Sequence, residues 1–272
     1  MVKRHDFNEN MINSNVSYFK SKIDRLETLL TKRPENAGNL FQQAYEAIGD
    51  ALVSEEDKET TKKILKIAKD LGLDTYRNAQ ATGKISLKVL DDTFEVDAVQ
   101  SKAYIDPINW SKYFYTALLS RDRKAINELL EVPESLMREA QLKCDEVDFA
   151  IVRFLKGLYQ SNADLSNLLK EALELTDPKE NDSGRADYLL YLKFPELNLY
   201  RIAFSNNEKE FNDELQEALE LHKKFWSDSK NANASEGWIA IPLLCVCLVA
   251  NNSKGYTIDV ESDYLPHWMF TS

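Results

Sequence analysis

Three histidines, three cysteines and several runs of carboxylates are the side chains of this 272-residue sequence from which a reactive site could be built. A metal ion needs three or four such ligands within about 2–2.5 Å of it, so its ligands recur at characteristic spacings. His5, His222 and His267 are far apart, and none has a second His or a Cys at ligand spacing. No HExxH, CxxC, GxSxG, P-loop or glycine-rich dinucleotide fingerprint occurs. Cys245 and Cys247 lie in the apolar stretch Ile241–Ala250, where a thiol's pKa rises and its reactivity falls. Two residues apart on a helix, they point in different directions, so packing is their expected role. Cys144 is followed by Asp145 and Glu146, whose negative charge disfavours a thiolate.

Paired acids can do acid–base work only when burial splits their pKa values. Glu55-Glu56-Asp57, Asp91-Asp92 and the group Asp145, Glu146 and Asp148 each fall at a helix start or a turn, which favours a capping or solvated role. His222 lies on an apolar stripe with Phe225 and Trp226 and reads as a satisfied buried histidine. These residues assign no catalytic group, metal ligand or cofactor.

The elements carrying them are mostly helices. Val16, Phe19, Ile23, Leu26, Leu29 and Leu30 recur at three- and four-residue steps, predicting one helix over the first 30 residues. Pro34 ends it or opens the next, which carries Leu40 to Leu52. Ser54 is the expected cap of a third helix through Ile64 and Leu71. After Gly83 the period changes. Lys84 to Leu90 and Thr93 to Asp97 alternate polar and apolar residues, which predicts a β-hairpin turning at Asp91-Asp92. Helices resume after Pro107 and continue through residues 110–118, 126–130, 145–160 and 165–173. A polar loop from Lys179 to Gly184 precedes a helix from Arg185 that Pro195 kinks or breaks. Asn207 stands in a capping signal before a helix from 207 to 226. The expected fold is mainly α, an array of antiparallel helix pairs resembling a helical-repeat scaffold, with one hairpin. Its segments are 1–82, the hairpin 83–98, and 99–272, forming one continuous domain.

Charge bounds the partners. The net charge is -11. Residues 1–132 hold 20 Lys and Arg against 21 Asp and Glu; residues 133–272 hold 14 against 24. Nucleic-acid phosphates need cations, so this chain is a poor match for nucleic acid. The start, Met1-Val2-Lys3-Arg4-His5-Asp6, leads into no apolar signal region. The longest apolar run, Gly237–Ala250, falls short of the roughly 20 residues of a membrane span. With its odd cysteine count, the chain reads as reduced and cytoplasmic.

The second half also contains specific words. Asp187-Tyr188-Leu189-Leu190 leads to Phe194-Pro195-Glu196-Leu197; Glu210-Phe211-Asn212 leads to Leu215-Gln216-Glu217-Ala218-Leu219 and His222-Lys223-Lys224-Phe225-Trp226. Gly237-Trp238 precedes the apolar helix, and Ile258-Asp259-Val260-Glu261-Ser262-Asp263-Tyr264-Leu265-Pro266 follows it. Upstream stand Trp110, Ser120-Arg121-Asp122 and Leu130-Glu131-Val132-Pro133. From about Ile85 to the C-terminus this ensemble resembles the immunity protein 49 family of bacterial polymorphic toxin systems. The resemblance implies a protein that binds and neutralises a cognate toxin domain encoded beside it, with no enzymatic activity. The ending from Glu261 to Pro266 also reads as a strand and a turn locking the tail against the apolar helix.

The acidic second half suggests where such a partner docks. Asp145, Glu146 and Asp148 are candidates, as are Glu210, Asp213, Glu214 and Glu217, which share one helix face at three- and four-residue steps. A solvated outer face accounts for the same pattern. An adaptor for a protein of the same cell remains an alternative function, separable by the neighbouring gene.

Overall fold

The computed structural model describes residues 1–54, 56–179 and 184–270. Glu55, read as part of a capping run, and residues 180–183 of the polar loop lie outside the described residues. The chain forms two compact units, Asn10–Cys144 and a second made of Asp145–Ser272 together with Met1–Glu9. Both are predominantly helical, and the only paired strands among the described residues belong to one antiparallel hairpin.

In the first unit the helix expected over the first 30 residues begins only at Ser14 and is divided into α1 (Ser14–Ile23) and α2 (Leu26–Lys32). The break comes where the Arg25 amide donates to the Lys22 carbonyl, a tight three-residue closure that ends α1. The start of α1 is capped from a distance. Asp50, buried on α3 (Ala37–Val53), accepts from the amides of Asn13 at 2.8 Å and Val16 at 2.9 Å. Ser54 closes α3, its amide donating to the Asp50 carbonyl, so the cap of α4 (Lys58–Gln80) falls to Asp57, which accepts from the Thr60 amide at 2.8 Å.

The hairpin is β1 (Lys84–Val89) and β2 (Asp92–Asp97). Val89 pairs with Asp92, so the turn is Leu90-Asp91, one residue earlier than the sequence suggests. Leu90 takes the left-handed conformation this turn demands, with φ 58°. A two-stranded hairpin is marginal alone, and α4 supplies what it lacks. The amides of Leu90 and Lys88 donate to the carboxylates of Asp70 and Asp74, each at 2.9 Å. Val99 just beyond β2 donates to Asn78 Oδ1 at 2.9 Å. Residues 70, 74 and 78 are four apart, so one stripe of α4 receives the chain as a neighbouring strand would. Burial pushes the Asp74 carboxyl up to about 7, against the pull of Arg77 and the Lys88 amide. Beyond the hairpin, α5 (Pro107–Leu119) buries Trp110, Tyr113, Phe114 and Tyr115, and α6 (Arg123–Leu130) and α7 (Glu134–Arg138) follow.

In the second unit, α8 (Glu146–Gly157) and α9 (Leu165–Glu174) pack together. A single turn, α10 (Ala186–Tyr188), runs through a π-helical segment at Leu189–Lys193 into α11 (Phe194–Ala203). Pro195 lacks the amide that an α-helix would offer to the Tyr191 carbonyl, and the backbone widens there instead of breaking. Asn207 caps α12 (Glu208–Trp226), accepting from the Glu210 amide at 3.2 Å. The apolar stretch becomes α13 (Ile241–Lys254), ended by Gly255 with φ 70°. With the preceding turn, Ser235–Lys254 is long and apolar enough in composition to cross a membrane, but Leu243 to Leu248 are all buried within the unit.

The tail is locked, as its apolar content implies, with the help of an unexpected partner. Val2 forms a parallel bridge with Ser262, its amide donating to the Glu261 carbonyl at 2.9 Å. Arg4 Nε donates to the Trp238 carbonyl at 2.8 Å, and its Nη2 to that of Asp263. Tyr264 is fully buried, 4.7 Å from the His222 ring and 6.0 Å from that of His5, and its carbonyl accepts from the Ala240 amide.

Candidate partner-binding surface

The first acidic group is committed to internal pairing. Asp148 is only 3% exposed, and Arg185 grips it with two bonds, Nη1 to Oδ2 at 2.7 Å and Nη2 to Oδ1 at 2.9 Å. Arg185 also reaches Asp145 at 3.0 Å, and Asp148 accepts from the Asp145 amide at the start of α8. A buried carboxylate requires such a cation, because its hydration has been lost. In return, Asp148 raises the pKa of Arg185. Asp148 is therefore removed from the partner-facing set. Glu146, half of whose side chain remains exposed, pairs with Arg153 at 2.9 Å, which also holds Glu171.

The α12 acids reach the surface along one side of the helix but meet different neighbours. Glu210 accepts from its own cap, Asn207, at 2.9 Å. Glu214 accepts from Asn198 of α11 at 3.0 Å, and Glu217 is exposed. Asp213 is exposed at the edge of the stripe, where it lines a groove of about 680 Å³ with Glu208, Lys209, Asn212 and Gln216. The opposite wall is formed by Asp259, Val260 and Glu261, with Met1 beside them.

Asn212 builds that wall. Its amide donates to the Thr257 carbonyl at 3.0 Å and accepts from the Asp259 amide at 2.9 Å, while Glu208 accepts from the Thr257 amide. The chain is thus held extended, with Tyr256, Ile258 and Val260 buried and Thr257, Asp259 and Glu261 outward. The lining includes four acidic residues, Glu208, Asp213, Asp259 and Glu261, against one basic side chain, that of Lys209. Sequence reading passed over Glu208, Asp259 and Glu261. The two-residue alternation from Tyr256 to Glu261 was the signal that could have found the latter two.

His222, Cys245 and Cys247 are all buried. The His222 ring is buried with Nε2 2.9 Å from the Gly237 carbonyl, and burial pushes its pKa down to about 3. Burial raises the pKa of both Cys245 and Cys247, and neither is in a disulfide. Among the described residues, no group of three or more His, Cys, Asp or Glu is placed to hold a metal ion.

The charge imbalance follows the boundary between units. Met1–Glu9 with Asp145–Ser272 hold 14 Lys and Arg against 24 Asp and Glu, a net of -10, leaving -1 for Asn10–Cys144. Several sequence words of the second half meet in this acidic unit: His222, Trp238 and Tyr264 are all buried there, and Glu196 is buried against Lys193. The family model described as Immunity protein 49 matches residues 74–269. The chain belongs to the immunity protein 49 family. The match begins within α4, ahead of the point near Ile85 where the motif words start, and includes the Asp70–Asn78 stripe in part. No curated protein and no solved structure matches the chain. In this immunity protein 49 member the words thus combine buried residues such as His222, Trp238 and Tyr264 with exposed ones such as Leu190, Phe194 and Glu217.

Proposed function

We propose that this chain is an immunity protein that binds a cognate toxin domain of a bacterial polymorphic toxin system and neutralises it without catalysis, in the cytoplasm of the cell that makes it. The observation that carries this reading is the family match over residues 74–269. The concentration of negative charge on one unit supports it, because a field of one sign speeds encounter with a basic protein and disfavours wrong partners. The α12 acids, exposed Asp213 and Glu217 and half-buried Glu210 and Glu214, with the groove beside Asp213, are the proposed contacts; Asp145 and Glu146 are secondary because they already hold arginines.

The test is co-expression with the toxin domain encoded by the neighbouring gene. Cells carrying both are expected to grow, cells carrying the toxin alone to arrest, and the two purified proteins to form a complex on size exclusion. Equal growth arrest with and without this protein, and no complex, would refute the reading.

A further inference from the structure

On one stretch of the acidic unit the usual distribution of charged and apolar side chains is reversed. Lys193 is turned inward, 7% exposed, with its Nζ 3.1 Å from the carboxylate of Glu196, itself 1% exposed. Leu190 and Phe194 on the same helical stretch stand 37% and 42% exposed. Six large apolar side chains are exposed among the described residues, and no other two of them come from one helix. The π-helical segment Leu189–Lys193 underlies this arrangement. Such widened turns are uncommon and often mark functional positions.

Three contacts fix what lies alongside. The ring of Tyr188 meets that of Phe225 at 6.2 Å, Lys224 Nζ lies 4.5 Å over the Tyr191 ring, and Asn198 donates to Glu214. As the residue number rises on one helix it falls on the other, so α11 and α12 run antiparallel. The exposed apolar end, with half-buried Tyr191, therefore continues into a strip edged by Glu210, Glu214 and Glu217 of α12. These three carboxylates outnumber the two cations beside them, Lys224 over the Tyr191 ring and Arg201, whose Nε donates to Asn198.

We infer that this composite face of α11 and α12 is the docking surface for the toxin domain, which offers an apolar side chain to Leu190, Tyr191 and Phe194 and Lys or Arg side chains to Glu210, Glu214 and Glu217. The inference rests on the immunity reading and gives it a location. The occupant follows from charge: an acidic strip in a unit of net -10 selects a basic surface. The two ends divide the work, since desolvated aromatic and apolar anchors hold a complex together while exposed charges mainly govern how fast it forms.

The experiment measures binding of the purified neighbouring-gene toxin domain by interferometry at two salt concentrations. The variants are L190S/F194S and E210K/E214K/E217K, and melting temperatures confirm that both remain folded. L190S/F194S is expected to weaken the Kd by about 100-fold, chiefly through faster dissociation. E210K/E214K/E217K is expected to slow association by about tenfold and to remove most of its salt dependence. Wild-type affinity in both variants, with the wild-type chain still protecting cells, would overturn the docking surface and leave the immunity function standing. Failure of the wild-type chain to bind the toxin domain would remove both. A wild-type dimer on size exclusion that L190S/F194S converts to monomer would assign the face to a second copy of the chain and also overturn the inference.

Discussion

The hydroxyl of Tyr264 lies 2.8 Å from both the backbone nitrogen and Nδ1 of His5, so two residues 259 positions apart share one oxygen. The His5 amide donates to it, and with Nε2–H donating to the Ala232 carbonyl, Nδ1 is left to accept from the hydroxyl. Tyr264→Phe removes the oxygen while keeping the ring, stranding a buried amide at an expected cost of about 1–3 kcal/mol. Tyr264→Ala also empties the space between His5 and His222, and is expected to cost about 3–5 kcal/mol. Chemical denaturation of the three proteins checks the order. Equal stability of wild type and Tyr264→Phe would show that the hydroxyl fastens nothing.

His222 makes the fold sensitive to acid. Its pKa is held near 3 in the native unit and returns to roughly 6.5 on unfolding. Above that range both states are neutral and the histidine adds no pH dependence. As pH falls from about 6.5 to 3, the unfolded chain takes a proton that the native one refuses, and stability drops with a slope approaching about 1.4 kcal/mol per unit. Burial lowers the His5 pKa too, adding to the loss in the same direction. Thermal melts of wild type and His222→Gln at matched ionic strength from pH 7.5 to 4.5 test this. The wild-type curve should fall more steeply, whereas parallel curves would exclude His222 as the titrating group.

Asp74 should govern the hairpin locally. Asp74→Ala removes the acceptor of the Lys88 amide and one carboxylate of the Arg77 pair, leaving Arg77 to Glu128. The expected loss is about 3 kcal/mol, as for a buried pair deprived of one partner. Asp74→Asn keeps an acceptor for Lys88 and should lose less. Hydrogen exchange provides the readout: amides of 84–97 should exchange faster in Asp74→Ala while those of α13 are unchanged. Uniform acceleration across both units would mean that the substitution acts globally.

How much could be read beforehand depended on how local the deciding contacts are. The helices and hairpin were legible because an amphipathic period is written in neighbouring residues, and the strands, at 84–89 and 92–97, fall within one residue of the alternation. The family was legible in the words from Asp187 to Pro266. The acids were harder. Asp148 and Glu210 both stand in acidic first turns, yet one is buried because Arg185, 37 residues away, comes to it. The stripe of Glu210, Asp213, Glu214 and Glu217 was sound as helix geometry, but its neighbours come from elsewhere: Asn198 to Glu214, and residues 259–261 across the groove from Asp213. No period in the sequence marks a π-turn that leaves Leu190 and Phe194 outside and Lys193 within.

The unit that contains residues 1–9 and 145–272 imposes an order on biosynthesis. Residues 1–9 leave the ribosome before residues 145–272 have been translated, and the bridge from Val2 to Ser262 can close only after nearly the whole matched region has emerged. The unit 10–144 is continuous in sequence and is complete on the ribosome earlier, and domains generally fold as units during synthesis. Closing so long a loop is slow. Nascent chains stalled before residue 260 would therefore carry a finished first unit and an open second one, with the acidic groove missing the wall that Asp259 and Glu261 provide.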